Sequence, residues 1–230
     1  MAIKTMRRVC TLFLLAAFSP LFSFGQLNEI TPEPPKDITP TDVFYKYSVQ
    51  AGTDITYALG NNAFKMDFSN GIYALNAAIN ESITKRVYAG FEIYDNEFGQ
   101  SLPLYGTLAP RMFLYMGGAR IGYRSSLTGD FLFNAAFTMG ETIIKYTDAP
   151  VEPNNLKSGF ASLRIIESYR VNEQFWIGLH VTYTYLPYTY SPFDIGIGQY
   201  YPYVPSDYKG ATTYLGWGFS IYYLFSKSNH

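Results

Sequence analysis

The chain reads as an all-β protein whose eight antiparallel strands run up and down into a closed barrel, and three observations predict this. Hydrophobicity alternates with a period of two through eight segments. No amphipathic helix of useful length falls between them, and the links that join them are alternately tight and long. Composition agrees that part of the surface meets something other than water. Aromatic residues make up 18% of the chain and charged residues 15%, against roughly 25% charged in ordinary soluble domains.

Residues 1 to 25 have the form of a secretory leader. Lys4, Arg7 and Arg8 precede the apolar run "VCTLFLLAAFSPLF", and small Ser23 and Gly25 stand at a cleavage site before Gln26. The run is short of the roughly 20 residues that a helix needs to span a bilayer. Its loss would remove three of 17 cations and none of 18 acids, leaving a charge of −4. No basic footprint for nucleic acid then remains. Cys10, the single cysteine, leaves with the leader, so neither a disulfide nor a thiol site is expected.

Residues 26 to 42 form an arm in which Pro32, Pro34, Pro35 and Pro40 favour an extended path. A spacer is the plain reading, and a peptide-recognition segment the competing one.

The first strand is "YKYSVQAGTDITYAL", with Tyr45, Tyr47, Val49, Ile55 and Tyr57 opposing Lys46, Ser48, Gln50 and Asp54. The second, about 69 to 80, opposes Tyr73, Leu75 and Ile79 to Asn70, Asn76 and Asn80, and the third, about 87 to 94, opposes Phe91 and Ile93 to Gly90 and Glu92. The fourth (about 111 to 124) sets Phe113, Ile121 and Tyr123 against Met116, Arg120 and Arg124. The fifth (about 131 to 143) sets Phe133, Phe137 and Met139 against Asn134 and Thr138. In the sixth, about 160 to 170, Leu163 and Ile165 oppose Ser162 and Arg164, but Ile166 and Glu167 break phase, which a bulge would restore. The seventh, about 175 to 185, opposes Ile177, Leu179 and Val181 to Trp176, His180 and Thr182, and the eighth closes on "GWGFSIYYLF".

Which parity faces inward follows from residue size. The polar parity is dominated by Gly, Ser, Thr, Ala and Asn, which suits a narrow packed interior better than a solvated exterior rich in Lys and Glu. The other parity carries bulky aliphatic residues with Tyr and Trp toward the strand ends, as a lipid belt between aromatic girdles requires. Lipid offers backbone amides no partner, so a non-helical chain crosses it only as a closed barrel. Expected strands of about 9 to 15 residues match the 9 to 11 that a tilted strand needs to cross the hydrocarbon. A secreted calyx for a small apolar ligand, with the parities reversed, is the alternative architecture.

Over roughly residues 43 to 225 the sequence resembles the small bacterial outer-membrane β-barrel proteins of the OmpX and OmpA transmembrane-domain type. Its last strand, with Leu215, Trp217, Phe219, Ile221, Tyr223 and Phe225 alternating toward a terminal aromatic, is similar to that family's assembly signal. The resemblance implies short periplasmic turns, long extracellular loops, residence in outer-membrane lipid as a monomer and insertion by the outer-membrane assembly machinery. The tail at 226 to 230, "SKSNH", departs from a family that often ends on the aromatic.

An eight-stranded barrel is just wide enough for its own side chains to fill. Lys46, Asp54, Glu92, Arg120, Arg124 and Arg164 share the inward parity, which predicts an ion-paired lumen without a diffusive pore; a narrow ion path is the competing reading. His180 also points inward, and the following Val181–Thr182 lacks the His-x-Ser pattern that a lipid-deacylating barrel would show. No catalytic residue, metal cluster or cofactor motif is expected. The link from 186 to 210 gathers Tyr188, Tyr190, Tyr200, Tyr201, Tyr203 and Tyr208 among prolines. It reads either as a contact surface for an extracellular protein or glycan, or as rings packed on the barrel rim. The functional expectation is a role in envelope structure or surface interaction, with a lipid-modifying barrel enzyme and the calyx as alternatives.

Overall fold

A computed structural model describes residues 44–60, 62–68, 70–99, 110–128, 130–151, 156–196 and 210–228. The leader and the arm lie outside the described residues, as do Tyr200, Tyr201, Tyr203 and Tyr208. The strands are β1 (Phe44–Leu59), β2 (Gly71–Ser82), β3 (Val87–Gly99), β4 (Arg111–Thr128), β5 (Phe131–Thr147), β6 (Leu156–Arg170), β7 (Phe175–Thr189) and β8 (Ala211–Ser228). Each pairs antiparallel with its neighbours in chain order, and β8 pairs with β1 to close the barrel.

Closure carries a stagger that strand order alone does not reveal. From Ser48 the register passes through Asn80, Gly90, Arg120, Thr138, Ser162, Thr184 and Tyr214, and returns to β1 at Ala58. Ten residues separate 48 from 58, so the strands tilt and each inward side chain rises along a spiral. Residues far apart in register thereby reach one level of the lumen.

The alternation holds along every strand. Bulky residues face out, as with Leu179 (58% exposed), Met139 (57%) and Phe219 (65%), while Asp54, Asn76, Glu92, Arg120, Arg164 and His180 are buried inside. A calyx would show the opposite distribution. The tight packing inside explains the small residues there: a Cβ on Gly122 would come within 2.1 Å of the Tyr88 ring. Tyr88 lies across that strand because nothing projects from it.

Two expectations are corrected. β6 runs without a bulge at Ile166 and Glu167; its register is unbroken against both neighbours, and the shifts fall at Gly71/Tyr73, Ser126/Thr128 and Leu186/Thr189 instead. Ile166 points inward, fully buried, because the lumen at that level is apolar, and Glu167 faces out, half-buried. The strands also extend further at the end bearing the long links. β3 takes in Asp95 to Gly99, β5 runs to Thr147, β6 starts at Leu156 and β7 reaches Thr189. Their inward residues there, Phe98, Met112, Ile144 and Leu186, have a common core to bury against. At the other end β8 continues through Ser226 to Ser228, into the stretch expected as a tail.

The first long link contains one short helix, α1 (Ala63–Asp67). Asn62 caps it, its Oδ1 accepting from the Lys65 amide at 3.0 Å, and its Nδ2 donates to the Ala211 carbonyl at 2.9 Å. The cap thus ties the helix to the start of β8 and directs Phe64 and Phe68 into the mouth of the barrel, where both are buried.

Candidate functional site

The spiral brings the inward side chains into three layers. The middle one is ionic. Arg164 Nη1 donates to Glu92 Oε1 at 2.6 Å and to Asn76 Oδ1 at 2.7 Å, and Arg164 Nε donates to Thr182 Oγ1 at 2.9 Å. Asn76 Nδ2 donates to Asp54 Oδ2 at 2.9 Å, and Arg164 Nη2 stands 3.7 Å from that oxygen. Glu92 accepts from Thr138 Oγ1 at 2.7 Å and faces Arg120 Nη1 at 3.3 Å. Buried charges persist only where partners and hydrogen bonds compensate lost hydration, and this belt supplies both.

Of the six lumen residues predicted from parity, Asp54, Glu92, Arg120 and Arg164 therefore meet. Arg124 sits nearer the tight turns, donating to the Ser82 hydroxyl with its guanidinium over the Tyr88 ring at 5.6 Å. Lys46 does not enter the lumen. It is exposed at the rim, 3.8 Å from Glu81, while its neighbour Tyr45 is buried and donates to the Glu173 carbonyl at 3.0 Å. The reversal puts the ring rather than the cation at the barrel floor, where Leu132, Ile166, Trp176, Tyr222 and Leu224 offer an apolar setting.

That floor and the opposite mouth are the other two layers. At the mouth Phe64, Phe68, Phe98, Met112, Leu114 and Ile144 form a buried plug, with Phe98 meeting Tyr214 edge-on at 5.3 Å. Tyr190 belongs to it: only 3% exposed, it donates to Asp67 Oδ2 at 2.7 Å and packs edge-on against Phe68. Tyr188 is half-buried, its hydroxyl 3.1 Å from that of Tyr146. These two tyrosines of the predicted contact surface are thus held on the rim, because the extended β7 delivers them to the plug.

His180 has closer company than the sequence suggested. Its Nε2 meets Asp54 Oδ1 and its Nδ1 lies 3.2 Å from Ser220 Oγ. With the proton on Nε2 given to Asp54, Nδ1 is the acceptor for the Ser220 hydroxyl. The His-x-Ser test missed this because Ser220 stands on β8, beside Gly178 in register, and only the inward parity of both residues hinted at it. Both side chains are buried between the apolar mouth and floor, and the chain of bonds orients the ring.

The residues expected to signal assembly stay on the outer face of β8, with Trp217, Phe219, Ile221 and Tyr223 exposed and Phe225 half-buried, stacked on Tyr47 at 5.7 Å.

No family model and no curated protein matches the chain. Among solved structures, Neisserial surface protein A is similar to it with a TM-score of 0.53 at 12% identity, over 78% of this chain and 97% of that one. Ail, the attachment invasion locus protein of Yersinia pestis, aligns at a TM-score of 0.45 and 10% identity over 79% of this chain and 99% of that one. The first likeness shows a shared fold, that of the closed antiparallel barrel; the second is too loose to add to it.

Proposed function

We propose that this chain is an integral outer-membrane barrel with a sealed lumen, acting in envelope structure or in contacts made by its long extracellular links. The observation that carries the reading is the outward display of bulky apolar side chains around a closed sheet whose interior is plugged at both ends. Water would not tolerate so wide an apolar belt on a monomer, whereas hydrocarbon covers it. The fold shared with Neisserial surface protein A supports the same placement. Outer-membrane lipid and the assembly machinery are its partners in this reading, with an extracellular protein or glycan at the long links.

Refolding into detergent, with heat-modifiable gel mobility and planar-bilayer recording on one preparation, tests this. Folded protein should migrate apart from boiled protein and give no discrete conductance steps. Protein that stays soluble without detergent, or that conducts steadily, would refute the sealed-barrel reading.

A second reading, a lipid-modifying barrel enzyme, is favoured only by the Ser220–His180–Asp54 chain. Burial of that chain away from lipid speaks against it. Lipid A from cells producing the wild type and Ser220→Ala should carry one acyl pattern; a pattern that changes with the hydroxyl would move the function to catalysis.

A further inference from the structure

Between the ionic belt and the apolar floor lies a layer whose charges and donors are only partly compensated. Among the described inward strand residues, Arg120, Arg124 and Arg164 face only Asp54 and Glu92, an excess of one positive charge. Arg164 stands between both carboxylates, so the excess falls at Arg120 and Arg124. Their guanidinium carbons each lie 5.6 Å from the centroid of one ring, Tyr88, and no carboxylate comes within ion-pair distance of Arg124 among the described residues. Two like charges sharing one ring in a low-dielectric interior repel unless something negative joins them.

Hydrogen-bond donors accumulate in this layer. Arg120 Nε, Trp176 Nε1 and Gln50 Nε2 are buried without a hydrogen-bond partner, as is the acceptor Gln50 Oε1, and Arg120 Nη1 has only its 3.3 Å ion-pair contact with Glu92. Guanidinium and indole nitrogens can only donate, so an acceptor is what they lack. Gln50 and Trp176 flank Tyr222 on either side in the sheet, and the Tyr222 hydroxyl accepts from Asn134 Nδ2, whose Oδ1 accepts from Tyr88. The unpartnered donors and the two arginines thus surround one hydrogen-bonded Tyr88–Asn134–Tyr222 chain.

We infer that this layer binds one monovalent anion of chloride size, held by Arg120 and Arg124 with the Gln50 amide and the Trp176 indole N–H. A single negative charge would neutralise the lumen and meet donors that are costly to bury alone. The packed interior restricts the ligand to a small ion.

Trp176 provides the readout, since the chain has two tryptophans and Trp217→Phe leaves it alone. The protein carrying that change, refolded in micelles, is titrated with bromide at constant ionic strength against gluconate, which is too large to enter. Bromide beside the indole should quench fluorescence saturably, and chloride should compete. Chloride at about ten times its dissociation constant should also raise the folded-to-unfolded ratio roughly tenfold over gluconate. Arg124→Met and Gln50→Leu, each added separately, should abolish both effects; if either fails to fold, the other decides. Quenching that rises linearly and ignores chloride, or saturation that survives in the folded variants, overturns the assignment and leaves water as the acceptor.

Discussion

Glu92 serves two arginines while Arg164 serves two carboxylates, the pair meeting at 2.6 Å with neither side chain reaching solvent. The two are not equivalent, because Asp54 also has His180 and Asn76 as partners. Glu92→Gln leaves Arg120 without a carboxylate and Arg164 with Asp54 alone, and should destabilise the barrel by about 3–5 kcal/mol. Arg164→Met should cost less. Urea unfolding in micelles, followed by gel mobility, gives the order, and the reverse order would contradict the described belt.

Gly122 is required by the ring that crosses it. Gly122→Val should cost about 1–3 kcal/mol by forcing Tyr88 aside. Combined with Tyr88→Ala, which vacates the space, the same change should cost clearly less than the sum of the two single replacements. Additive losses in a double-mutant cycle would mean that the contact is not the cause.

Tyr190 donates a buried hydrogen bond to Asp67, at the end of α1. Tyr190→Phe keeps the ring packing and removes that donor, for a local loss of about 1–3 kcal/mol. Hydrogen exchange at residues 63 to 68 should accelerate while the β4–β5 ladder stays protected. Uniform acceleration would show that the helix does not open independently.

Leu179 and Thr182 stand on opposite faces of β7. Leu179→Arg should cost about 2–4 kcal/mol in vesicles if the belt meets hydrocarbon. A nitroxide at Leu179 should report acyl chains and one at Thr182 should not. Aqueous accessibility at Leu179 would invalidate the membrane assignment.

Parity revealed much of this, because a strand's side chains alternate whatever surrounds them. Asp54, Glu92, Arg120 and Arg164 could be placed inside from it. What parity omits is height. The β7–β8 register decides that Ser220 reaches His180, while the ten-residue stagger accumulates over all eight pairings. Composition misled in a different way: Ile166 broke the expected phase, yet it is inward, as Leu114 and Ile144 are, because the lumen is polar only at mid-height. The exchange of Tyr45 and Lys46 at the rim follows from the same apolar floor, which no single strand announces.

The seam between β1 and β8 joins Phe44 to Ser228, so the first strand waits for the last before its second edge is covered. Until that moment the nascent sheet exposes two open rows of amides and a greasy exterior in water, a combination prone to sticking to copies of itself. Contacts so distant along the chain are slow to form. Refolded in water without detergent or a holdase, the chain should therefore aggregate, and deleting β8 should yield aggregate rather than a seven-stranded remnant.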